Sequence, residues 1–197
     1  MNYKIKEEKI VYNGHYKIKK AEIVHETFAG ANVKVTRECF ERGDSAAAVL
    51  FEKDSASLLF VRQFRYPTVR SGSGWITELV AGSQDTEGEG PEACILREIR
   101  EEVGYHVASA EKIGEFFTSP GGSSERVQLF FAETSSNDRN TSGGGLPSEN
   151  EDIELVRISL DRAKAMLESG RFRDAKTLIG LQWFFLHQTK TDATEQD

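Results

Sequence analysis

GSQDTEGEGPEACILREIREEVGY, residues 82–105, is the stretch on which the fold turns. Residues 81–90 are rich in Gly, Ser, Asp and Glu and are expected to form a loop. Pro91 suits the first turn of a helix, where its missing N–H is not needed. Leu96, Ile99 and Val103 then recur at helical spacing, and Gly104 supplies a stop, so the pattern predicts a helix over 91–103. Glu98, Glu101 and Glu102 stand at i, i+3 and i+4 and share one face, offset from the apolar stripe. Carboxylates this close repel one another, so an isolated helix gains nothing from them. A hard divalent cation removes the repulsion. Mg²⁺ suits such a site because it takes a few carboxylates and leaves positions for water and phosphate oxygens. On composition alone a glutamate-rich helix is more often a solvated face, so the surroundings have to decide.

Working outward, residues 3–25 alternate apolar and polar groups and read as strands joined at the Asn13-Gly14 turn. Strands are also predicted over 32–40, 46–51, 58–63 and 75–80, the middle two separated by Lys53-Asp54-Ser55. Beyond Gly104, strands are predicted near 112–117, 126–133 and 153–158. Between the last two lies a polar stretch, 134–150, containing Gly143-Gly144-Gly145, and connections of this length are usually functional or disordered. Two helices follow near 160–169 and 174–187, and a disordered tail is expected over 189–197. This order predicts the α/β class, with a mixed β-sheet sandwiched between α-helices and an N-terminal antiparallel β appendage. The expected divisions are 1–45 for the appendage, 46–188 for the main domain and 189–197 for the tail.

The bulk composition excludes several functions. The 197 residues are 38% hydrophobic and 29% charged, which is ordinary for a soluble chain. A net charge of −7 argues against nucleic acid as a partner, because such binding draws on Lys and Arg against phosphate. No apolar run approaches the roughly 20 residues that span a bilayer, so no membrane partner is expected. Met1 to Lys6 are charged and lack a signal-peptide core. A cytoplasmic location is therefore expected, with Cys39 and Cys94 reduced. The histidines His15, His25, His106 and His187 are scattered and show no zinc-ligand spacing.

The segment Gly82 to Tyr105 closely resembles the signature box of the Nudix hydrolases, which runs glycine, five residues, glutamate, seven residues, then Arg-Glu-apolar-any-Glu-Glu-any-Gly-apolar. Glu89 to Arg97 has the seven-residue gap, and Arg97 to Tyr105 fits at every place. The departure lies between Gly82 and Glu89, where six residues intervene, so a small bulge is expected there. Such a match is far more specific than a lone glycine motif. Other segments resemble the ADP-ribose pyrophosphatase branch of the family: Thr118 to Arg126 (TSPGGSSER), Glu149 to Ile153, Leu181-Gln182-Trp183, Arg37-Glu38, Phe40 to Gly43 and Gln63-Phe64-Arg65. The GDP-mannose hydrolases of the same branch carry similar Gly-Gly-Gly and Glu-Asp-Ile-Glu segments, and Asp174-Ala175-Lys176-Thr177 leans toward them.

The resemblance implies a site residue by residue. Glu98 and Glu102 would bind Mg²⁺, with Mn²⁺ able to stand in, joined by the Ala81 carbonyl and Glu151 and neighboured by Glu101. Glu149 would be the general base. Arg97 would hold the glutamates by ion pairing, with Gly82 and Glu89 as the other structural members of the box. Arg65 and Arg42 would bind phosphate or ribose oxygens, and Tyr16, Arg37 and Glu38 would cradle the base and its ribose. Ser119, Pro120, Gly121 and Glu125 would meet the terminal sugar, and Ser83 is grouped with the substrate-binding residues. Read as residues alone, Ser119 to Gly122 fits a tight turn equally well, Glu149 and Glu151 fit ordinary loop charges, and Arg65 fits a surface ion pair.

The resemblance implies a homodimer, with residues 1–45 serving dimerisation and substrate binding, and a nucleotide sugar as the small-molecule partner. The expected reaction is Mg²⁺-dependent cleavage of a nucleoside diphosphate sugar. ADP-ribose giving AMP and ribose 5-phosphate is placed ahead of GDP-mannose giving GMP and mannose 1-phosphate. A non-catalytic nucleotide-sugar sensor is the alternative from another class. The intact box glutamates and the absence of room for a DNA-binding appendage speak against it.

Overall fold

Tyr3–Asn13 (β1), Lys17–Glu26 (β2) and Asn32–Glu41 (β3) form an antiparallel sheet in the order β1-β2-β3. The computed structural model describes residues 1–194, with side chains through residue 187. The β1–β2 ladder carries register shifts between Ile5 and Glu7 and between Ile10 and Tyr12, whereas β2–β3 pairs without interruption from Lys17↔Glu41 to Glu26↔Asn32. Met1–Asp44 and Phe117–Arg126 make up one compact unit, and Ser45–Phe116 with the described residues from Val127 onward make up the other. The first unit thus takes in 117–126, a stretch that the sequence placed in the 46–188 domain.

The second unit is built on Ser45–Glu52 (β4), which pairs with three strands. It meets Ser57–Phe64 (β5) and Val80–Ser83 (β7) antiparallel and Arg126–Thr134 (β9) parallel, so the sheet is mixed. Glu111–Phe117 (β8) and Glu154–Ser159 (β10) complete the path β10-β5-β4-β9-β8, and Trp75–Glu78 (β6) pairs with β5. Side chains alternate across β4. Ala46, Ala48 and Leu50 face a cluster with Ile95, Ile99 and Val103 from the helix Pro91–Glu98 (α1) and its continuation. Ala47 and Val49 face a second cluster with Ala163 from Leu160–Glu168 (α2) and Leu181 and Phe184 from Ala175–Thr194 (α3). Helices cover both faces of a mixed sheet, as the order of elements predicts, and each fully buried aliphatic side chain contributes about 1.5–3 kcal/mol. Among the described residues no helix is long and apolar enough to cross a membrane.

Three expectations need correction. The strand predicted over 75–80 is two, β6 and β7, and Ala81, Gly82 and Ser83 belong to β7 and not to the loop. The break falls at Leu79, whose N–H donates to Thr177 Oγ1 at 3.0 Å, freeing the chain to pass from β5 to β4. The helix predicted over 91–103 is α-helical only to Glu98, and Ile99–Val103 form a π turn. Its end is set by Gly104, whose left-handed φ of 81° lets its N–H reach both Ile99 O and Arg100 O at 3.1 Å. Finally, α3 continues to Thr194, over most of the expected tail, and 195–197 lie outside the described residues.

Candidate active site

The second unit gathers the box carboxylates where β7 meets α1 and its π turn. Arg97 is the organiser: its Nε and Nη2 donate to the two oxygens of Glu89, both at 3.0 Å, in a bidentate pair. Its Nη1 donates to Glu98 Oε1 at 2.7 Å and to Glu101 Oε2 at 2.9 Å. Gly82 makes room for this arrangement, because a Cβ there would collide with the Glu98 carboxylate. Beneath it, Cys94 Sγ donates to the Ser83 carbonyl at 3.5 Å, and burial pushes that thiol up to about 12, so it packs and does not react.

Glu102 lies deepest, at 2% exposure, and the Ala81 N–H at 3.2 Å is its hydrogen-bond donor among the described residues. Burial, then the charge of Glu98, then those of Glu151 and Glu78 push its carboxyl well above the usual range, against the pull of Ala81 N–H. Glu98 is pushed up to about 7, by burial first, with Glu101 and Glu151 adding to it and Arg97 opposing. These carboxylates are short of positive charge. Among the described residues no three such groups already converge as a finished metal cage, since Arg97 draws Glu98 and Glu101 to itself. The donor set nevertheless fits a divalent cation: a buried carboxylate holding lone pairs that one N–H cannot satisfy, with further oxygens beside it.

Glu151 reaches this cluster from the 134–153 connection. It accepts the Leu146 N–H at 3.0 Å, and its charge acts on both Glu98 and Glu102. Glu149 is exposed at the end of the 3₁₀ turn Pro147–Glu149, followed by Asn150 at a left-handed φ of 57°. No hydrogen bond or ion pair ties its carboxylate to another described residue.

Arg65 donates from Nε to Glu78 Oε1 at 2.7 Å. Glu78, 3% exposed, also receives Lys176, which pairs with Asp174 at 2.9 Å. Asp174 caps α3 by accepting the Thr177 N–H at 2.9 Å. Thus Asp174, Lys176 and Thr177 form one part-buried polar network with Arg65 and Glu78. Sequence reasoning gave Glu78 no role, because an isolated glutamate in a short strand carries no spacing signal. For Lys176 the signal was present in the Asp174-Ala175-Lys176-Thr177 motif, without a function attached.

The remaining candidates lie in the first unit. The Arg42 guanidinium sits 5.6 Å from the centroid of the Tyr16 ring and 3.7 Å from Glu125. Tyr16 meets Phe40 and His15 edge-on, at centroid distances of 5.2 and 4.4 Å. Thr118 Oγ1 donates to Glu125 Oε2 at 3.1 Å. Ser119, Pro120 and Gly121 are an exposed tight turn closed by Gly122 N–H to Ser119 O at 3.0 Å. Arg37 and Glu38 are not drawn into this group: Arg37 donates to Thr36 O, and Glu38 pairs with Lys20.

A family model described as the NUDIX domain matches residues 41–180. A GDP-mannose pyrophosphatase of Pectobacterium atrosepticum is 41% identical over 155 residues, 78% of this chain and 78% of the relative. One of Yersinia pestis is 36% identical over 183 residues, 92% of this chain and 90% of the relative. A solved structure titled as an ADP compounds hydrolase superposes with a TM-score of 0.74, at 18% identity, covering 97% of this chain and 96% of that one, a likeness of fold.

Proposed function

We propose that this chain, which belongs to the Nudix family and is a Nudix hydrolase, cleaves the pyrophosphate of a nucleoside diphosphate sugar, and that GDP-mannose is its substrate. The observation that supports the reaction class is the buried Glu102 carboxylate, answered by the Ala81 N–H alone among the described residues and set beside the Glu98 and Glu101 pair that Arg97 holds. The substrate preference reverses the order drawn from the sequence. The curated relatives named GDP-mannose pyrophosphatase support GDP-mannose over most of the chain. ADP-ribose keeps only the segment resemblances, since the likeness to the ADP compounds hydrolase is one of fold.

In this reading Glu98, Glu102 and Glu151, with the Ala81 carbonyl and Glu101 beside them, would hold Mg²⁺, which when bound would neutralise pyrophosphate charge and acidify a water. The chain's own groups do the rest. Arg97 keeps three glutamates in place without meeting substrate. Arg65, braced by Glu78, presents its remaining N–H donors to a phosphate. Glu149, exposed and unpaired, takes the proton of the attacking water as its oxygen bonds to one phosphorus. The bridging P–O bond breaks and the departing phosphate carries off the electron pair. In the first unit, Tyr16 and Arg42 offer an aromatic and cationic face suited to a base, and Glu125 an acceptor for sugar hydroxyls.

Product identification tests the proposal. Purified protein with Mg²⁺ should turn GDP-mannose into GMP and mannose 1-phosphate faster than it turns ADP-ribose into AMP and ribose 5-phosphate. A preference for ADP-ribose would overturn the substrate, and no cleavage of any nucleotide sugar would overturn the function. Homodimerisation belongs to the same reading and is supported by β1, which is exposed along its whole length.

A further inference from the structure

The π turn leaves its last carbonyls without partners inside the helix, as every helix end does. Here those groups are the backbone oxygens of the box glutamates themselves, and a remote segment satisfies them. Gly144 N–H donates to Glu102 O at 2.9 Å and Gly145 N–H donates to Glu101 O at 3.1 Å. Just before them, the N–H groups of Asn140 and Thr141 donate to Gly104 O at 2.8 and 3.2 Å, and just after them Ile153 N–H returns to Gly144 O at 3.2 Å. The segment carrying Glu149 and Glu151 is therefore fastened at its base to the backbone of Glu101 and Glu102.

Only glycine fits. Gly143, Gly144 and Gly145 have φ of 66°, 107° and 82°, a run of left-handed backbone that L side chains resist. A Cβ on Gly143 would lie 2.6 Å from Glu102 O. One on Gly145 would lie 2.6 Å from both Cβ and Oε2 of Glu151, whose charge acts on Glu98 and Glu102.

We propose that Gly143-Gly144-Gly145 is a backbone clamp that sets the distance of Glu151, and with it Glu149, from the box carboxylates. The inference rests on the assignment of those carboxylates as cation ligands. The glycines are positioning residues: they touch neither substrate nor metal, and act by fixing how far the 146–153 segment stands from the π turn.

Gly145→Ala is the direct test, with Mn²⁺ as the probe and free ion read by electron paramagnetic resonance. Displacing Glu151 should weaken Mn²⁺ binding by about 10-fold or more, the usual cost of disturbing what orients a ligand. It should also lower kcat by about 100-fold, as a misplacement of roughly 1 Å does, with KM little changed. In a Glu151→Gln background, Gly145→Ala should cost no further Mn²⁺ affinity, whereas a merely structural role would add its full penalty there. Wild-type Mn²⁺ affinity and kcat in Gly145→Ala, or full additivity in the double variant, overturns the clamp. If Gly145→Ala fails to fold, hydrogen exchange of the metal-free wild type decides. Protected Gly144 and Gly145 amides support the clamp, and exchange at open-loop rates overturns it. Should the wild type cleave no nucleotide sugar, the function falls while the Mn²⁺ comparison still judges the clamp.

Discussion

Glu102 combines near-complete burial with a single N–H donor, and the two consequences of this pull in opposite directions. An ionised carboxylate removed from water costs several kcal/mol after relaxation unless a cation answers it. Glu102→Gln keeps the shape and removes the charge. The variant should lose turnover by about 10³-fold or more, consistent with charge stabilisation as a dominant catalytic effect. In EDTA it should melt at a higher temperature than the wild type. Near-wild-type turnover would remove Glu102 from the proposed metal site, and an unchanged melt would show that its charge is not a burden. Glu149→Gln is the complementary case. Loss of a general base lowers kcat by about 10²–10⁴-fold while leaving the Mg²⁺ dependence in place, and an unchanged rate would sink that role. Glu98, Glu101 and Glu102 were legible because helical periodicity converts spacing into a shared face. Glu78 and Lys176 were not, because they are joined over 98 positions in sequence and no local period relates a strand residue to the start of a distant helix.

Strands and helices were legible where one period ran unbroken, and misread where tertiary bonds interrupted it. The run 75–80 is continuously strand-like, but at Leu79 its pairing passes from β5 to β4 and the Thr177 hydroxyl, contributed by α3, takes the Leu79 N–H. The π turn was hidden because Leu96, Ile99 and Val103 fit a helical stripe whether or not the last turn is widened. At this scale Glu52 on β4 makes the clearest pH prediction. It is 1% exposed, and Arg157 on β10 grips it through Nε at 2.6 Å and Nη2 at 2.8 Å, while the Tyr105 hydroxyl also donates to it. Burial alone would raise its carboxyl; the bonds from Arg157, Ser55 and Tyr105 outweigh burial and hold it below the ordinary glutamate range. A carboxylate depressed on folding stabilises the fold above its unfolded value, about 4.3, and that contribution is lost as pH falls through the folded value. Glu52→Gln should therefore lower the melting temperature at pH 7, and the gap from wild type should close on acidification below about pH 4. A gap independent of pH would mean that Glu52 acts through packing and not through its charge.

At the level of the whole molecule, substrate choice was the hardest part to read, because its candidates are divided between the two compact units. Tyr16, Arg42 and Glu125 lie in one, and Arg65, Glu149 and the box lie in the other. The first unit also carries an exposed edge. β1 is an edge strand, and Tyr3, Ile5, Ile10 and Tyr12 on it are each about half exposed or more. A long edge bearing apolar side chains is a liability that natural sheets cover or charge. Lys4, Lys6, Glu7, Glu8 and Lys9 supply some charge, but they leave those four apolar groups in water. A second copy covering this strand would account for them, as the proposed homodimer requires. Light scattering on the purified chain should give twice the chain mass of 22.0 kDa. Ile5→Lys combined with Ile10→Lys should yield a folded monomer, because each change places a charge where the partner would exclude water, at a cost of several kcal/mol per buried ion. A wild-type monomer at assay concentration, or a double variant that still dimerises with wild-type affinity, would remove β1 from any interface and leave its exposed face without a physical account.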